Sequence, residues 1–234
     1  MTLRLILNAD DLGYDPAVTR GILEAMRLGV VSSTTLIVNS PWSEDAARTA
    51  EGLPVGLHLN LVRFQSVSAP SQELTERAVL AMPFVVKETR AQLERFKQLM
   101  GKPPTHLDVH KHAHREPAVL NALGIVAREY KLPVRSIDPA MRAALRDAGV
   151  HTNDEFIGDA GDTAWWTPAR WTEELDAAPR EGVVEFMCHP GYRPTEVSSG
   201  YGAQREVELA TFLSPAAREA LTTRGLTLSS WAGV

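Results

Sequence analysis

The chain has 234 residues, 44% of them hydrophobic and 23% charged, a composition typical of a globular protein with a sizeable core. Its formal net charge of −5 argues against nucleic acid as a partner, because no basic field would attract a phosphate backbone. No apolar stretch reaches the length of about 18 residues that a membrane span needs, and the single cysteine, Cys188, excludes an intramolecular disulfide and favours a cytoplasmic location.

Short apolar runs alternate with segments of helical spacing along the whole sequence. Residues 3–8 predict a buried strand, and residues 16–28 predict a helix with Asp15 as N-cap, Pro16 at the first helical position and Gly29 at its end. Further strands are predicted at 34–38, 55–60, 105–110, 133–137, 154–157, 183–188 and 226–230. Further helices are predicted at 84–100, 116–130, 139–147 and 204–224.

This alternation of strands and helices indicates a parallel sheet. Roughly eight such units predict an α/β fold consisting of a single irregular, TIM-barrel-like (β/α) barrel over residues 1–234. A doubly wound open sheet is the alternative. Both folds place their chemistry at the carboxyl ends of the strands, so polar residues at the predicted strand ends are the candidates for a site.

Two neighbouring carboxylates, Asp10 and Asp11, follow the first predicted strand. Adjacent carboxylates repel each other, and a fold therefore tends to keep them beside a cation or in a solvated turn. Taken alone, the strand-end turn is an equally good interpretation. In a metal site, one carboxylate would be a ligand and the other could act as general base for the attacking water.

Histidines are concentrated at the ends of the next predicted strands. His58 ends one of them, and four of the seven histidines lie in the segment 105–114, where His106, Asp108 and His110 would share one strand face. A lone strand histidine is more often a core residue, and a histidine-rich surface loop binding metal adventitiously is the alternative here. One carboxylate and two imidazoles would hold a catalytic divalent ion with open coordination positions, Zn²⁺ or another transition ion in preference to Mg²⁺.

His189 follows the predicted strand 183–188 and is placed by a Pro190-Gly191 turn. It could protonate a leaving group as general acid, or it could be a turn histidine that bonds only to backbone. Cys188 ends an apolar strand and is expected to be an inert, buried thiol.

Further residues are candidates for binding a substrate. Trp165 and Trp166 begin the segment WWTPARW, and tryptophan rings often stack on sugar faces, although packing against the barrel is at least as good an interpretation. Arg135 could anchor the second carboxylate or the substrate, or form a surface salt bridge. Asn60 and His112 are the remaining candidates for contact with substrate.

Five segments carry a resemblance to a known family: NADDLG at 8–13, STTLIVN at 33–39, GLHLNL at 56–61, THLDVHKHAH at 105–114 and MCHPGY at 187–192. In this order they resemble the YdjC-like carbohydrate deacetylases, which include chitooligosaccharide deacetylases and hopanoid-biosynthesis-associated deacetylases. The resemblance implies an irregular (β/α) barrel that removes an N-acetyl group from an amino sugar. It also implies that Asp11, His58 and His110 bind one Mg²⁺ or Zn²⁺ ion, that Asp10 is the catalytic aspartate and that His189 is the catalytic histidine.

The sequence thus predicts a metal-dependent hydrolase of an N-acetylated saccharide, with a small carbohydrate as its partner and a homo-oligomer left open. One alternative is another metal-dependent barrel hydrolase or isomerase acting on a sugar, for example a phosphoesterase. The motif strands carry few Arg or Lys residues, which argues against it. A non-catalytic sugar-binding relative is the other alternative, and it would be expected to lack Asp10 or a metal ligand.

Overall fold

The structure is a computed structural model that describes residues 2–76 and 80–234. The described strands are β1 (Arg4–Leu12), β2 (Ser33–Leu36), β3 (Val55–Leu59), β4 (Leu107–Val109), β5 (Glu155–Ile157), β6 (Val183–Cys188) and β7 (Leu228–Ser229). The helices are α1 (Pro16–Leu28), α2 (Ser43–Thr49), α3 (Met82–Met100), α4 (Pro117–Tyr130), α5 (Pro139–Asp147), α6 (Pro168–Ala177), α7 (Ala203–Leu213) and α8 (Pro215–Thr223), and a 3-10 helix covers His110–Arg115. No helix within the described ranges is both long enough and apolar enough to cross a bilayer.

The strands form one parallel sheet that curls into an irregular (β/α) barrel, as the sequence predicted. Their order is β4-β3-β2-β1-β6-β5, and β7 pairs with the first part of β1. Residues 133–136 lie between β4 and β5, where Leu107 N–H donates to Pro133 O and Val134 N–H donates to His151 O, each at 2.9 Å. Backbone hydrogen bonds therefore continue around the barrel where regular strand pairing stops.

Two predicted elements are wrong in detail, and in both a proline is the reason. The predicted strand 133–137 is only an isolated bridge between Val134 and Leu107, because Pro133 has no N–H to give to a ladder. The predicted helix 204–224 is two helices, α7 and α8, because Pro215 cannot continue a helix. Ser214 caps the second helix by accepting a hydrogen bond from Ala217 N at 3.1 Å.

The alternation of side chains along the strands separates an apolar layer from a polar interior. Leu5, Leu7 and Ala9 of β1 belong to the main apolar cluster that packs under the helices. The alternate residues are buried and polar, and this interior set comprises Asn8, Asp10, Thr35, His58, Asp108 and Glu185. Burial of so many polar groups is costly unless they pair with one another or hold an ion, so the barrel interior is where a site is expected.

Candidate active site

A bulge in β1 brings two neighbouring carboxylates into one cavity. The pairing of β1 with β2 shifts register between Ala9 and Leu12, and Asp11 has a φ of 75°. In a regular strand, Asp10 and Asp11 would point to opposite faces of the sheet. Here both line a cavity of about 580 Å³ and both are only 2% exposed, so the interpretation as a solvated turn is wrong. The left-handed backbone of Asp11 is strain of the kind that clusters at functional sites.

Three atoms that could bind a metal ion converge beside this bulge. Asp11 Oδ1 lies 3.2 Å from His58 Nε2 and 2.9 Å from His110 Nδ1, and the two ring nitrogens are 3.1 Å apart. Ligands about 2.1 Å from a common ion are separated by about 3.0–3.4 Å at tetrahedral or octahedral angles, which fits this spacing. Asp11 Oδ1 is buried and makes no hydrogen bond of acceptable geometry to either ring, as expected for atoms directed at a shared centre.

His58 is oriented by a carboxylate on its far side. Its Nδ1–H donates to Asp108 Oδ1 at 2.7 Å, and its Nε2 faces Asp11 Oδ1 and His110 Nδ1. Thr35 Oγ1 donates to the other oxygen of Asp108 at 2.9 Å. Burial alone would lower the pKa of His58, but Asp108 overrides burial and raises it to about 10. A divalent ion on Nε2 would displace that proton while the bond to Asp108 remains, the usual carboxylate–histidine–metal arrangement.

Asp10 is held by a buried arginine and is not one of the three converging residues Asp11, His58 and His110. Arg135 donates from Nη1 to Asp10 Oδ2 at 2.6 Å and from Nη2 to Oδ1 at 2.7 Å, and Asn8 Nδ2 donates to Oδ1 at 2.8 Å. Burial alone would raise the pKa of Asp10, but Arg135 holds it well below its usual range. Arg135 is 0% exposed, so the surface salt bridge considered for it is wrong, and it anchors the second carboxylate instead.

His189 faces the same cavity from the end of β6. Its backbone N–H donates to Glu208 at 2.6 Å, and its Nδ1 is buried without a hydrogen-bonding partner. Burial lowers the pKa of His189 to about 4, against the opposing effect of Asp11 and Asp10. The imidazole is therefore neutral at pH 7, able to accept a proton before it donates one.

The remaining cavity walls include residues that the sequence analysis did not select. Arg205 on α7 donates to Asp11 Oδ2 at 2.5 Å, and its guanidinium lies 5.7 Å from the Tyr14 ring. Arg63 donates to the Tyr14 hydroxyl at 2.8 Å. Lys111 and Arg115 also line the cavity. The walls are therefore more cationic than the motif strands suggested.

The candidate substrate residues do not all reach the cavity. Trp166 is fully buried among Trp171, Phe186 and Phe212, and Asn60 uses its side chain to bind Asn39 and the Arg63 carbonyl, so neither side chain lines the cavity. Trp165 is half-buried under Arg170, 4.1 Å from its guanidinium, and is not among the lining residues. His112 lines the cavity, and contact between His112 and substrate stays a prediction.

One missed residue had a visible signal in the sequence. Glu185 interrupts the apolar run VVEFMC, and its carboxylate accepts from Arg135 Nη2 at 2.8 Å inside the barrel. Glu208 and Arg205 sit on an amphipathic helix where charged residues are ordinary, so no local pattern marked them. Cys188 is buried as predicted, and burial raises the pKa of its thiol well above its ordinary value.

Known proteins resemble this chain over nearly its whole length. The family model described as YdjC-like protein matches residues 4–223. A carbohydrate deacetylase of Geobacillus stearothermophilus is 35% identical over 241 residues, covering 97% of this chain and 96% of that protein. A chitooligosaccharide deacetylase of Yersinia pestis (strain Pestoides F) is 34% identical over 250 residues, covering 97% of each. The crystal structure of an Enterococcus faecalis V583 protein, provisionally named for cellobiose-phosphate cleavage, superimposes with a TM-score of 0.86 at 30% identity, covering 99% of this chain and 98% of that one.

Proposed function

Because this chain belongs to the family of YdjC-like proteins, we propose that it is a carbohydrate N-deacetylase that depends on one divalent ion. The observation that carries the proposal is the convergence of Asp11 Oδ1, His58 Nε2 and His110 Nδ1 within 3.2 Å of one another. Asp10 and His189 line the same cavity. Relatives that align over nearly their whole length are named carbohydrate or chitooligosaccharide deacetylases.

The three converging residues fit a divalent ion in number, spacing and donor type. Two imidazoles and one carboxylate favour Zn²⁺ or another transition ion, although the carboxylate also permits Mg²⁺. When bound, the ion would supply a Lewis acid and lower the pKa of water, the chemistry that metals contribute to hydrolases. Asp108 would keep His58 in the tautomer that such binding requires.

Asp10 is the proposed general base. Its two bonds from Arg135 fix the carboxylate plane and keep it ionised, so that it is ready to take a proton from the attacking water. His189 is the proposed proton donor to the leaving amine, which departs poorly unless it is protonated. Since His189 is neutral at rest, the proton that Asp10 takes from the water would have to pass on to His189, which would then donate it to the leaving nitrogen and return to the neutral form.

The proposal is tested with a panel of N-acetylated sugars, chitooligosaccharides included, incubated with protein loaded with Zn²⁺ or Mg²⁺. Mass spectrometry should show replacement of an acetyl group by hydrogen, and released acetate should be measurable. Asp10→Asn and His189→Ala should each lower kcat by about 10²–10⁴-fold while the metal content stays unchanged. A panel with no deacetylated product would contradict the proposal, and so would an Asp10→Asn variant of full activity.

A phosphoester hydrolase is the second candidate, since Arg63, Lys111, Arg115 and Arg205 all line the cavity. Two of these cations are already engaged, because Arg205 pairs with Asp11 and Lys111 pairs with Glu76. That engagement leaves less positive charge for a phosphate and favours the amide substrate. Turnover of p-nitrophenyl phosphate, with no acetate released from any acetamido sugar, would reverse the order of the two candidates.

A further inference from the structure

Glu208 is a fully buried carboxylate on α7 that joins three segments at the back of the cavity. Its Oε2 accepts from the His189 backbone N–H at 2.6 Å, and its Oε1 accepts from the Tyr201 hydroxyl at 2.6 Å. A buried carboxyl group that accepts a hydrogen bond at each oxygen holds its donors in place, because losing either bond leaves a buried polar atom without a partner.

His189 is connected to the Glu208 carboxylate in two ways. The first is the backbone bond just described. The second runs through Tyr201, whose ring packs against the imidazole with centroids 5.5 Å apart and whose hydroxyl is held by Glu208. His189 Nδ1 has no hydrogen-bonding partner among the residues that the structure describes. The position of the ring is therefore set by its backbone and by its packing, and both depend on Glu208.

We infer that Glu208 is a positioning residue that acts through the His189 backbone and through the Tyr201 ring to place the His189 imidazole over the reacting bond. This inference rests on the proposed function for the role of His189 as proton donor. Glu208 lies behind the turn that carries His189, so its contribution is geometric. Displacement of a reacting group by about 1 Å can cost about 10²-fold in rate, which is the scale of effect that such a residue can have.

The competing interpretation is that Glu208 only stabilises the fold by accepting hydrogen bonds from the His189 N–H and the Tyr201 hydroxyl. The two interpretations separate in a double-mutant cycle with His189→Ala. Positioning predicts that loss of Glu208 matters only while the imidazole is present. A purely structural role predicts the same loss of activity, and the same loss of stability, in both backgrounds.

The experiment compares Glu208→Gln and Tyr201→Phe with Glu206→Gln as the matched control. Glu206 lies on the same helix, and its carboxylate pairs with the exposed Arg193. Glu208→Gln and Tyr201→Phe should each lower kcat by about 10–100-fold, with KM and metal content within about twofold of the parent. In the His189→Ala background, each change should cost less than about twofold. Equal losses in both backgrounds would overturn the inference.

A second measurement needs no turnover. The ring signals of His189 in NMR spectra of the metal-loaded protein, assigned by their loss in His189→Ala, should shift in Glu208→Gln and in Tyr201→Phe. They should not shift in Glu206→Gln, and the exposed His151 should be unaffected in every variant. Unchanged His189 signals would overturn the positioning role even if the proposed function failed. If Glu208→Gln does not fold, Tyr201→Phe decides, since it removes one hydroxyl and keeps the ring.

Discussion

Asp108 divides its two oxygens between the candidate metal site and the barrel interior. One oxygen accepts from His58 Nδ1 at 2.7 Å, and the other lies 2.9 Å from both Thr35 Oγ1 and Arg135 Nη1. Burial raises the pKa of Asp108 in spite of the His58 and Arg135 charges beside it. Through its bond to His58 Nδ1, Asp108 therefore sets the tautomer of His58 in which Nε2 is available to bind a metal ion.

Asp108→Asn should weaken metal affinity by about 10–100-fold, because an amide holds the His58 tautomer less firmly than a carboxylate does. Competition titration against a chromophoric chelator measures the change. Asp176→Asn is the control, since Asp176 pairs with Arg224 at the surface and touches no ligand. Equal affinities of the two variants would show that Asp108 is not needed to orient His58.

Glu208 should also shape the pH dependence of stability. Burial raises the pKa of Glu208 from 4.5 to about 7. A raised carboxyl pKa means that its contribution to stability is complete below pH 4.5 and is lost as pH rises through about 7. The unfolding free energy of the parent, relative to that of Glu208→Gln, should therefore fall by about 3 kcal/mol between pH 4.5 and 8. Urea denaturation across this range measures it, and parallel curves for the two proteins would contradict it.

At the scale of elements, α1 touches the turn that carries His189 with no side chain between them. A Cβ placed on Gly21 would lie 2.6 Å from Gly191 Cα and 2.9 Å from Tyr192 N. Asp15, which caps α1, also accepts hydrogen bonds from Thr195 N and Glu196 N at 3.0 and 2.8 Å. The helix that follows the two aspartates of the cavity, Asp10 and Asp11, therefore also fixes the segment after His189.

Gly21→Ala should destabilise the protein by about 1–3 kcal/mol, because the new methyl group overpacks a backbone contact. Gly124→Ala on α4 is the matched control, since its new Cβ would meet only Ala148 Cβ at 3.8 Å. In Gly124→Ala, the better helix propensity of alanine should raise the free energy of unfolding by about 0.5–1 kcal/mol. Chemical denaturation compares the two, and stabilisation of both by similar amounts would show that α1 can move away from the turn.

The elements that the sequence predicts best are those with local signals. Asp15 and Asp138 each precede a proline and cap the helix that follows, and both helices were predicted. Ser214 gives the same signal, which was missed inside the predicted helix 204–224. Strand 183–188 is found where the apolar run placed it. The bulge at Asp11 could not be predicted, because it depends on how β1 pairs with β2. Contacts elsewhere in the site offset the backbone strain at Asp11. Strand-end clustering predicted the three converging residues, whereas Arg205 and Glu208 approach from a distant helix whose pattern is that of an ordinary surface helix.

At the scale of the molecule, the barrel interior contains a network of buried ion pairs, and a buried tryptophan bonds to one of its carboxylates. Arg135 contacts carboxylates from three strands, Asp10, Asp108 and Glu185, at 2.6 to 2.9 Å. Trp231 donates from Nε1 to Glu185 Oε1 at 3.3 Å and stacks on His106 with ring centroids 4.8 Å apart. Trp231 is 0% exposed and packs inside the barrel next to Glu185.

Trp231→Ala should destabilise the protein by about 3–5 kcal/mol, since it opens a cavity and removes a hydrogen bond from Glu185. Trp42→Ala should cost less, because Trp42 is half-buried at the start of α2. Thermal and urea denaturation of both variants measure the difference. A Trp231→Ala protein as stable as the Trp42→Ala protein would mean that water can fill the barrel at little cost.

The parallel pairing of β1 with β6 also bears on how quickly the protein reaches its native state. Arg4 pairs with Val183, and the Cys188 thiol donates to the Asn8 carbonyl 180 residues away in sequence. The entropy of a long loop must be lost before the contact can stabilise the chain. Proteins dominated by such distant pairings therefore fold slowly. Asp11, His58 and His110 lie on the β1–β4 side, which closes through shorter loops. In a refolding experiment, we therefore expect the half-sheet that carries the proposed ligands to form first, and the His189 turn to dock in a later, slower phase.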